Sequence, residues 1–250
     1  MKKVSLLLIW CVSFLSFSQN VTDAKGMKQG AWSKTYPNSS DLQYKGQFKN
    51  NKPVGTFTYF YPSTKVKAII KHSASNNRSE AFYYHENTNL MSYGIFRDLK
   101  KDSIWLNFTE SGKLSNAESY KNDLLNGKKT IYFVSEIESG KSPLVSATCM
   151  YVAGKANGEY IEYFNDGNIK LKGNYLLDKK NGIWESNHSN GKRMAQERYK
   201  NGMRHGWSYG FDASGVLLGK EYYFQGNKLE GKELEAKLAA LKQKGIDTND

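Results

Sequence analysis

Histidine, cysteine and carboxylate side chains are the groups in this 250-residue chain that could act as catalysts or metal ligands. Each histidine stands alone, without a second ligand two to five residues away as in zinc sites: His72, His85, His188 and His205. We interpret carboxylates such as Glu136 and Glu138 as solvated side chains rather than as an acid–base pair with shifted pKa values. No nucleophile elbow or phosphate-binding glycine loop occurs. The sequence therefore predicts no catalytic, cofactor-binding or metal-binding residue, and a protein that is not an enzyme.

Cys149 is the remaining candidate nucleophile. It lies in a strand-like run, Ala147 to Tyr151, with no histidine or second cysteine nearby in the sequence to activate the thiol. We therefore interpret it as a small buried apolar side chain. The other cysteine, Cys11, falls in an N-terminal segment that is expected to be removed, so the mature chain is predicted to form no internal disulfide.

The first residues have the pattern of an export signal. Lys2 and Lys3 precede a largely apolar stretch over residues 4–17, and Ser16 and Ser18 are small residues where a signal peptidase reads. This stretch is shorter than the roughly 20 residues that span a bilayer. Residues 1–18 are thus predicted to be a cleavable signal peptide, which directs the chain to the periplasm, the outer cell surface or the medium. Trp10 before Cys11 disfavours a lipoprotein signal.

A repeat of about 24 residues dominates the rest of the chain. In most copies a glycine precedes an aromatic residue by two positions: Gly30 and Trp32, Gly55 and Phe57, Gly158 and Tyr160, Gly182 and Trp184. Ser103 replaces the glycine before Trp105, and Trp207 lies one position early, which predicts a shift of register there. One longer interval predicts an insertion near 135–143.

Each repeat has the pattern of a β-hairpin. In the copy that begins at Gly158, a run of β-branched and aromatic residues leads to a turn at 165–168, and residues 169–175 then alternate apolar with polar. A lone hairpin is marginal in water, so the units must stack side by side. The sequence predicts an all-β fold, an elongated antiparallel sheet of about eight tandem hairpins over 19–228. Glycines such as Gly158 and Gly182 are expected at positive φ or beneath a neighbouring ring.

This pattern resembles the MORN repeat, in particular the bacterial variant found in YwqK-type antitoxin components. The resemblance is carried by residues 157–167, by Asn181 to Trp184, and by Tyr199 to Gly202 leading to Trp207. It implies a ribbon of MORN-like hairpins that binds proteins or membranes. An antitoxin or immunity protein that neutralises a partner toxin is the alternative that the resemblance implies.

The C-terminal residues have a different pattern. Leu234, Leu238 and Leu241 recur at helical spacing among charged residues, which predicts an amphipathic helix over 229–244 that caps the last hairpin. A helix that binds a partner is the other interpretation. Residues 245–250 are predicted to be a tail.

The excess of basic over acidic residues indicates which kinds of partner the chain could bind. With 36 Lys and Arg against 24 Asp and Glu, the net charge is +12. The basic residues either keep an exposed sheet soluble or face an acidic protein, an anionic membrane or an acidic glycan. Export disfavours nucleic acid. We expect a binding or scaffold module, and an envelope polymer hydrolase is a weaker alternative. The candidate binding residues are Trp105, Tyr160, Trp184, Trp207, Tyr209, Lys192, Arg193 and Arg204.

Overall fold

The computed structural model describes residues 19–134 and 143–246. The predicted signal peptide at 1–18, most of the predicted insertion at 135–143 and the last four residues of the predicted tail lie outside the described residues.

The described residues form strands up to residue 229 and then one helix. The strands are β1 (Val21–Thr22), β2 (Lys28–Thr35), β3 (Leu42–Lys49), β4 (Lys52–Phe60), β5 (Val66–His72), β6 (Arg78–Tyr84), β7 (Leu90–Arg97), β8 (Lys100–Phe108), β9 (Leu114–Lys121), β10 (Leu124–Tyr132), β11 (Val145–Val152), β12 (Lys155–Tyr163), β13 (Ile169–Leu176), β14 (Lys179–Asn187), β15 (Arg193–Lys200), β16 (Met203–Arg204), β17 (Gly206–Phe211), β18 (Leu217–Phe224) and β19 (Asn227–Leu229).

The strands pair antiparallel in chain order, so the sheet is one meander. Its eight hairpins run from β2–β3 to β17–β18, and the short strands β1 and β19 lie at the two ends. β16 and β17 both pair with β15 and are separated only at His205. Sixteen hairpin strands at the usual spacing span about 75 Å across the sheet. The predicted all-β fold of tandem hairpins is confirmed.

Two-residue turns join most repeats. Both central residues have positive φ, for example 52° at Asn122 and 69° at Asp123, or 53° at Asn201 and 86° at Gly202. Such type I′ turns match the right-handed twist of a hairpin, and asparagine, aspartate and glycine tolerate their backbone angles best. The link between β5 and β6 differs, because it comprises residues 73–77. This link belongs to the degenerate copy near Ala81.

Hydrogen bonds connect successive inter-repeat turns. Asp123 Oδ1 accepts from the Lys101 N–H at 2.6 Å, and Asp178 Oδ1 accepts from the Ala156 N–H at 2.7 Å. The N–H groups of the same aspartates donate to the carbonyls of Lys101 and Ala156 at 3.0 and 2.9 Å. Each of these turns is therefore fixed to the turn one repeat earlier.

The repeat glycines lie at bulges. Gly158 and Gly182 have φ of 116° and 76°, so the expected positive φ is confirmed at both, and Ser103 takes the same conformation with φ of 61°. The glycines beneath aromatic rings are different ones. Phe57, Trp105 and Trp184 lie over Gly46, Gly94 and Gly173 of the preceding strand, where a Cβ would overlap the ring.

The predicted shift of register at Trp207 is wrong. Gly206 pairs with Tyr223 just as Gly182 pairs with Tyr199, so the backbone register continues unchanged. The indole lies one residue early along the strand, and because side chains alternate between the faces of a sheet, it lies on the face opposite that of Trp184.

The helix α1 spans Gly231–Gln243. It begins two residues later than predicted, because Leu229 pairs with Tyr222 and ends β19. None of its residues is fully buried. Lys237 Nζ lies 3.2 Å from the centre of the Phe224 ring in the last hairpin.

Candidate binding surfaces

Three buried aromatic residues, Phe57, Trp105 and Trp184, lie on one face of the sheet, which we call the ring face. Trp105 and Trp184 are each 1% exposed. Their indole N–H groups donate to the carbonyls of Ile95 and Asn174, both at 3.1 Å. Glycine in the preceding strand lets each indole lie directly on the backbone. These two side chains stabilise the sheet and have almost no surface for a partner to contact. We therefore no longer consider them candidate binding residues.

Lysines lie over the faces of the same rings. Lys101 Nζ lies 4.4 Å from the Trp105 ring centre and 4.8 Å from that of Tyr120, and Lys180 lies 4.2 Å from the Trp184 ring centre. Such cation–π contacts stabilise by about 0.5–1 kcal/mol at exposed sites. The lysine and tryptophan of each pair lie four residues apart on one strand, so the contact recurs with the repeat.

Carboxylates replace the ring-covered glycine in other repeats. Glu118 accepts from Lys129 Nζ at 2.9 Å and from the Tyr120 hydroxyl at 2.9 Å. Burial alone raises the pKa of Glu118, but these two donors and the lysine charge outweigh it, so the pKa lies below 4.5. Burial and the Glu118 charge raise the pKa of Tyr120 to about 12. Glu197 forms a similar group with Tyr199 and Arg204. These side chains are satisfied within the chain.

The other candidate residues do not form one cluster. Tyr160 lies on the ring face, where its ring centre is 5.7 Å from that of Trp184. Trp207 packs edge-on against Tyr222 at 5.2 Å on the opposite face, which also bears Tyr209.

The three basic candidates are engaged in contacts within the chain. Arg193 forms an ion pair with Glu185 at 2.5 Å, and Lys192 donates to the Ser214 carbonyl at 2.7 Å. Arg204 binds Glu197 and the Tyr223 hydroxyl. The candidate residues thus lie on both faces of the sheet, and a binding role for those with exposed surface stays a prediction.

The opposite face, which bears Ile104 and Ile183 and which we call the back face, carries a surface that sequence reasoning missed. At four successive inter-repeat turns, the last cross-strand pair joins one lysine to one apolar residue, and all eight side chains are exposed. We call this set the basic–apolar strip: Lys121 with Leu124, Lys155 with Val152, Lys179 with Leu176, and Lys200 with Met203.

The apolar members of the basic–apolar strip are well exposed. Leu124 is 50% exposed, Val152 52% and Leu176 47%, and Leu177 in the adjoining turn is 57% exposed. Exposed apolar side chains in a continuous row are typical of an interaction surface, whereas single ones are ordinary. The sequence signal is an apolar residue and a lysine on either side of a two-residue turn, recurring about every 24 residues.

The basic–apolar strip and its turns carry four lysines against two aspartates, Asp123 and Asp178, so the net charge is positive. The four lysines form no ion pair within residues 19–134 and 143–246. The nearby turn carboxylates of Asp123 and Asp178 accept hydrogen bonds from the backbone N–H groups of Lys101 and Ala156 instead. The strip therefore presents positive charge beside apolar surface.

The histidines and Cys149 have structural environments. His85 and His188 bond through Nε2 to the carbonyls of Phe108 and Phe211, at 3.1 and 3.0 Å. Cys149 is 8% exposed, and burial raises the pKa of its thiol. Across the residues that the structure describes, no three His, Cys, Asp or Glu side chains gather as a metal site. No helix there is long and apolar enough to cross a membrane.

Comparison with known proteins identifies the repeat. The family model of the MORN repeat variant matches residues 156–176 and 180–201. These residues comprise β13 and β15, and all but the first residue of β12 and β14. A search of curated proteins finds no match.

Solved structures show only weak similarity. The GtfA/B complex bound to UDP and GlcNAc is 12% identical over 86% of this chain and 28% of that one, with a TM-score of 0.16. The Tc holotoxin pore of Photorhabdus luminescens is 11% identical over 82% of this chain and 14% of that one, with a TM-score of 0.19. The chain thus spans less than a third of the length of either structure, and TM-scores this low support no argument.

Proposed function

We propose that this chain, a protein with MORN repeat variants, is a non-enzymatic scaffold that attaches to an anionic lipid surface through the basic–apolar strip. MORN repeats are in general protein- or membrane-binding modules, and two adjacent repeats of this chain match the family model. The observation that carries the proposal is the recurrence of exposed lysine–apolar pairs at four successive turns.

The chemistry of the strip suits a lipid headgroup layer. The ammonium groups meet anionic headgroups, and Leu124, Leu176 and Leu177 reach the boundary between headgroups and acyl chains. Each lysine near an anionic surface contributes about 1 kcal/mol. In the predicted location outside the cytoplasm, the chain would meet envelope lipids of this charge.

Vesicle co-sedimentation tests the proposal. We expect the protein to bind vesicles of phosphatidylglycerol and phosphatidylcholine and to stay free of pure phosphatidylcholine vesicles. Replacing Lys121, Lys155 and Lys179 by glutamine should weaken binding about a hundredfold, since about 3 kcal/mol of attraction is lost. Binding should also weaken as salt rises.

The matched control carries Lys25→Gln, Lys34→Gln and Lys65→Gln, which remove the same charge from exposed positions far from the strip. The control should bind nearly as tightly as the unchanged protein. Equal losses in the two triple variants would show that net charge alone acts, and the assignment to the strip would then be wrong. Binding to an acidic protein but to no vesicle would replace the lipid by a protein partner.

A further inference from the structure

A cleft of about 510 Å³ opens on the ring face of the first three hairpins. Ala68 lies in its lining, between Tyr59 on one neighbouring strand and Tyr83 on the other, as the pairings Tyr59 with Ala68 and Ala68 with Tyr83 show. Tyr44 extends the row on β3, with its ring centre 5.9 Å from that of Tyr59. Ala68 itself is only 3% exposed, so the tyrosine side chains on either side of it form the accessible surface of the cleft.

Tyr59 and Tyr83 lie two strand spacings apart, on either side of the buried Ala68. A ligand ring would therefore lie over the tyrosine rings rather than between them. The volume of the cleft also falls within the range of small-molecule sites, which is roughly 300–1,000 Å³.

The architecture does not require these tyrosines. At the position of Tyr83, later hairpins carry Asn107, Ile131 and Ser186, and their strands pair in the same register. Where the next tyrosine would stand, Asn107 instead bonds to Ser92 at 2.8 Å and to Asn116 at 2.6 Å. The tyrosine row is therefore a local feature of the first three hairpins.

Polar groups in the cleft are available to a ligand. Other tyrosine hydroxyls nearby bond to the backbone, as Tyr36 does to the Phe60 carbonyl at 2.6 Å. Those of Tyr44, Tyr59 and Tyr83 have no hydrogen-bond partner among the described residues. Burial raises the pKa of Tyr59 and of Tyr83, so both hydroxyls remain donors at neutral pH.

Two residues at β-bulges complete the cleft. Gln43 and Lys67 are the extra, unpaired residues in β3 and β5, and both line the cleft. A bulge redirects a side chain relative to its neighbours on the strand. Lys67 is the one charged residue of the lining, and no carboxylate belongs to it. The electrostatics favour an anionic ligand.

We propose that this cleft binds a pyranose ring that carries a carboxylate, as in an acidic glycan. The C–H faces of the sugar would pack against the Tyr59 and Tyr83 rings, and its hydroxyls would bond to the tyrosine hydroxyls and the Gln43 amide. The sugar carboxylate would pair with Lys67. An aromatic peptide side chain would stack on the tyrosine rings equally well but would leave the hydroxyls and the amide unused. This site is separate from the basic–apolar strip and does not depend on it.

Calorimetric titration of the purified protein with tetragalacturonate tests the proposal, with cellotetraose as the neutral counterpart. We expect binding of the acidic tetrasaccharide, and much weaker binding of the neutral one. Tyr59→Phe and Tyr83→Phe remove one hydroxyl each and keep the ring, and Lys67→Gln removes the charge. Each should weaken binding about tenfold, the usual effect of one lost hydrogen bond or ion pair.

Matched controls are Tyr209→Phe on the back face and Lys65→Gln two residues from Lys67, and neither should alter binding. The glutamine variants of Lys121, Lys155 and Lys179 should also retain it, so failure of the lipid proposal would leave this one standing. No binding of tetragalacturonate would overturn the proposal. So would equal losses in the cleft and control variants, or tighter binding of an acidic peptide with one phenylalanine that depends on the same tyrosines.

Discussion

Glycine–ring sites and glutamate sites occupy the same position of the repeat on the ring face. At Gly94 and Gly173, an indole lies on bare backbone and is almost completely buried. At Glu118, a carboxylate instead bonds to Lys129 and Tyr120. Each of these three residues lies in the second strand of its hairpin. The sheet therefore accepts either a glycine covered by an aromatic ring or a hydrogen-bonded glutamate at the same position of the repeat.

The difference teaches which interactions set the register. Trp105 pairs with Glu118 across one strand boundary, and Lys129 pairs with Glu118 across the next. Beside Gly94, Tyr93 pairs with Leu106, and beside Glu118, Ala117 pairs with Thr130 at the equivalent positions, so the register is the same at both kinds of site. Turns with two positive φ values and recurrent bulges are common to both kinds of site, so we conclude that they fix the register. Ring packing then adds stability where glycine permits it.

The largest effect is expected at a glycine–ring site. Gly94→Ala places a methyl group where the Trp105 ring lies, and overpacking of this kind costs about 1–3 kcal/mol. Urea unfolding should show the midpoint moved to lower denaturant. Gly219→Ala is the control, because nothing lies within 4 Å of its added Cβ. An unchanged midpoint for Gly94→Ala would mean that the indole does not lie on the backbone.

A smaller and pH-dependent effect is expected at the glutamate site. The pKa of Glu118 in the fold lies below 4.5, so its ionised form stabilises the fold above pH 4.5, and this stabilisation is lost as pH falls through the lowered pKa. Glu118→Gln should cost about 1 kcal/mol at pH 7 and much less at pH 3.

Urea unfolding of both proteins across that pH range measures the difference. Exposed Glu159→Gln should show little change at either pH. A Glu118→Gln loss that is equal at pH 7 and pH 3 would contradict an ionised, paired carboxylate.

The smallest effect is expected at the serine that replaces the bulge glycine. Ser103 has φ of 61°, a conformation that glycine adopts without strain. Ser103→Gly should therefore stabilise the protein by about 0.5 kcal/mol, whereas Gly182→Ser at the equivalent bulge should destabilise it. Thermal unfolding measures both changes, and a destabilising Ser103→Gly would mean that its hydrogen bond to Asp102 at 2.9 Å outweighs the strain.

Local patterns made the hairpins predictable, because turn residues and period-two alternation act within a few positions of the chain. The glycines beneath the rings were missed, although Gly46, Gly94 and Gly173 each lie eleven residues before the ring that covers them. This eleven-residue spacing joins residues on two different strands, with a turn between them, and it occurs in only three hairpins. It also explains why Trp105 and Trp184 were poor candidates for partner contacts.

Other features depend on longer-range geometry. The basic–apolar strip arises because bulges and turns bring exposed ends of different strands to one edge of the back face, and a single strand contains only half of each pair. Strict alternation after Gly206 places Trp207 on the back face, and the predicted register shift is wrong because a ring that moves by one residue changes face without moving the backbone pairing. The tyrosine cleft needs three separate strands to be aligned before its row is visible.

The hydrogen bonds of the Asp123 and Asp178 turns affect how the sheet would extend when its two ends are pulled apart. Each of these turns is tied to the turn one repeat earlier, and the residues that follow it accept a hydrogen bond from the turn one repeat later, as Leu125 does from Gly154 and Lys180 does from Gly202. β1 and β19 lie at opposite ends of the meander. A force applied to the two termini would separate the strand pairs one after another from the ends of the sheet, because each repeat contacts only its neighbours. The chain would therefore lengthen in steps, one strand pair after another.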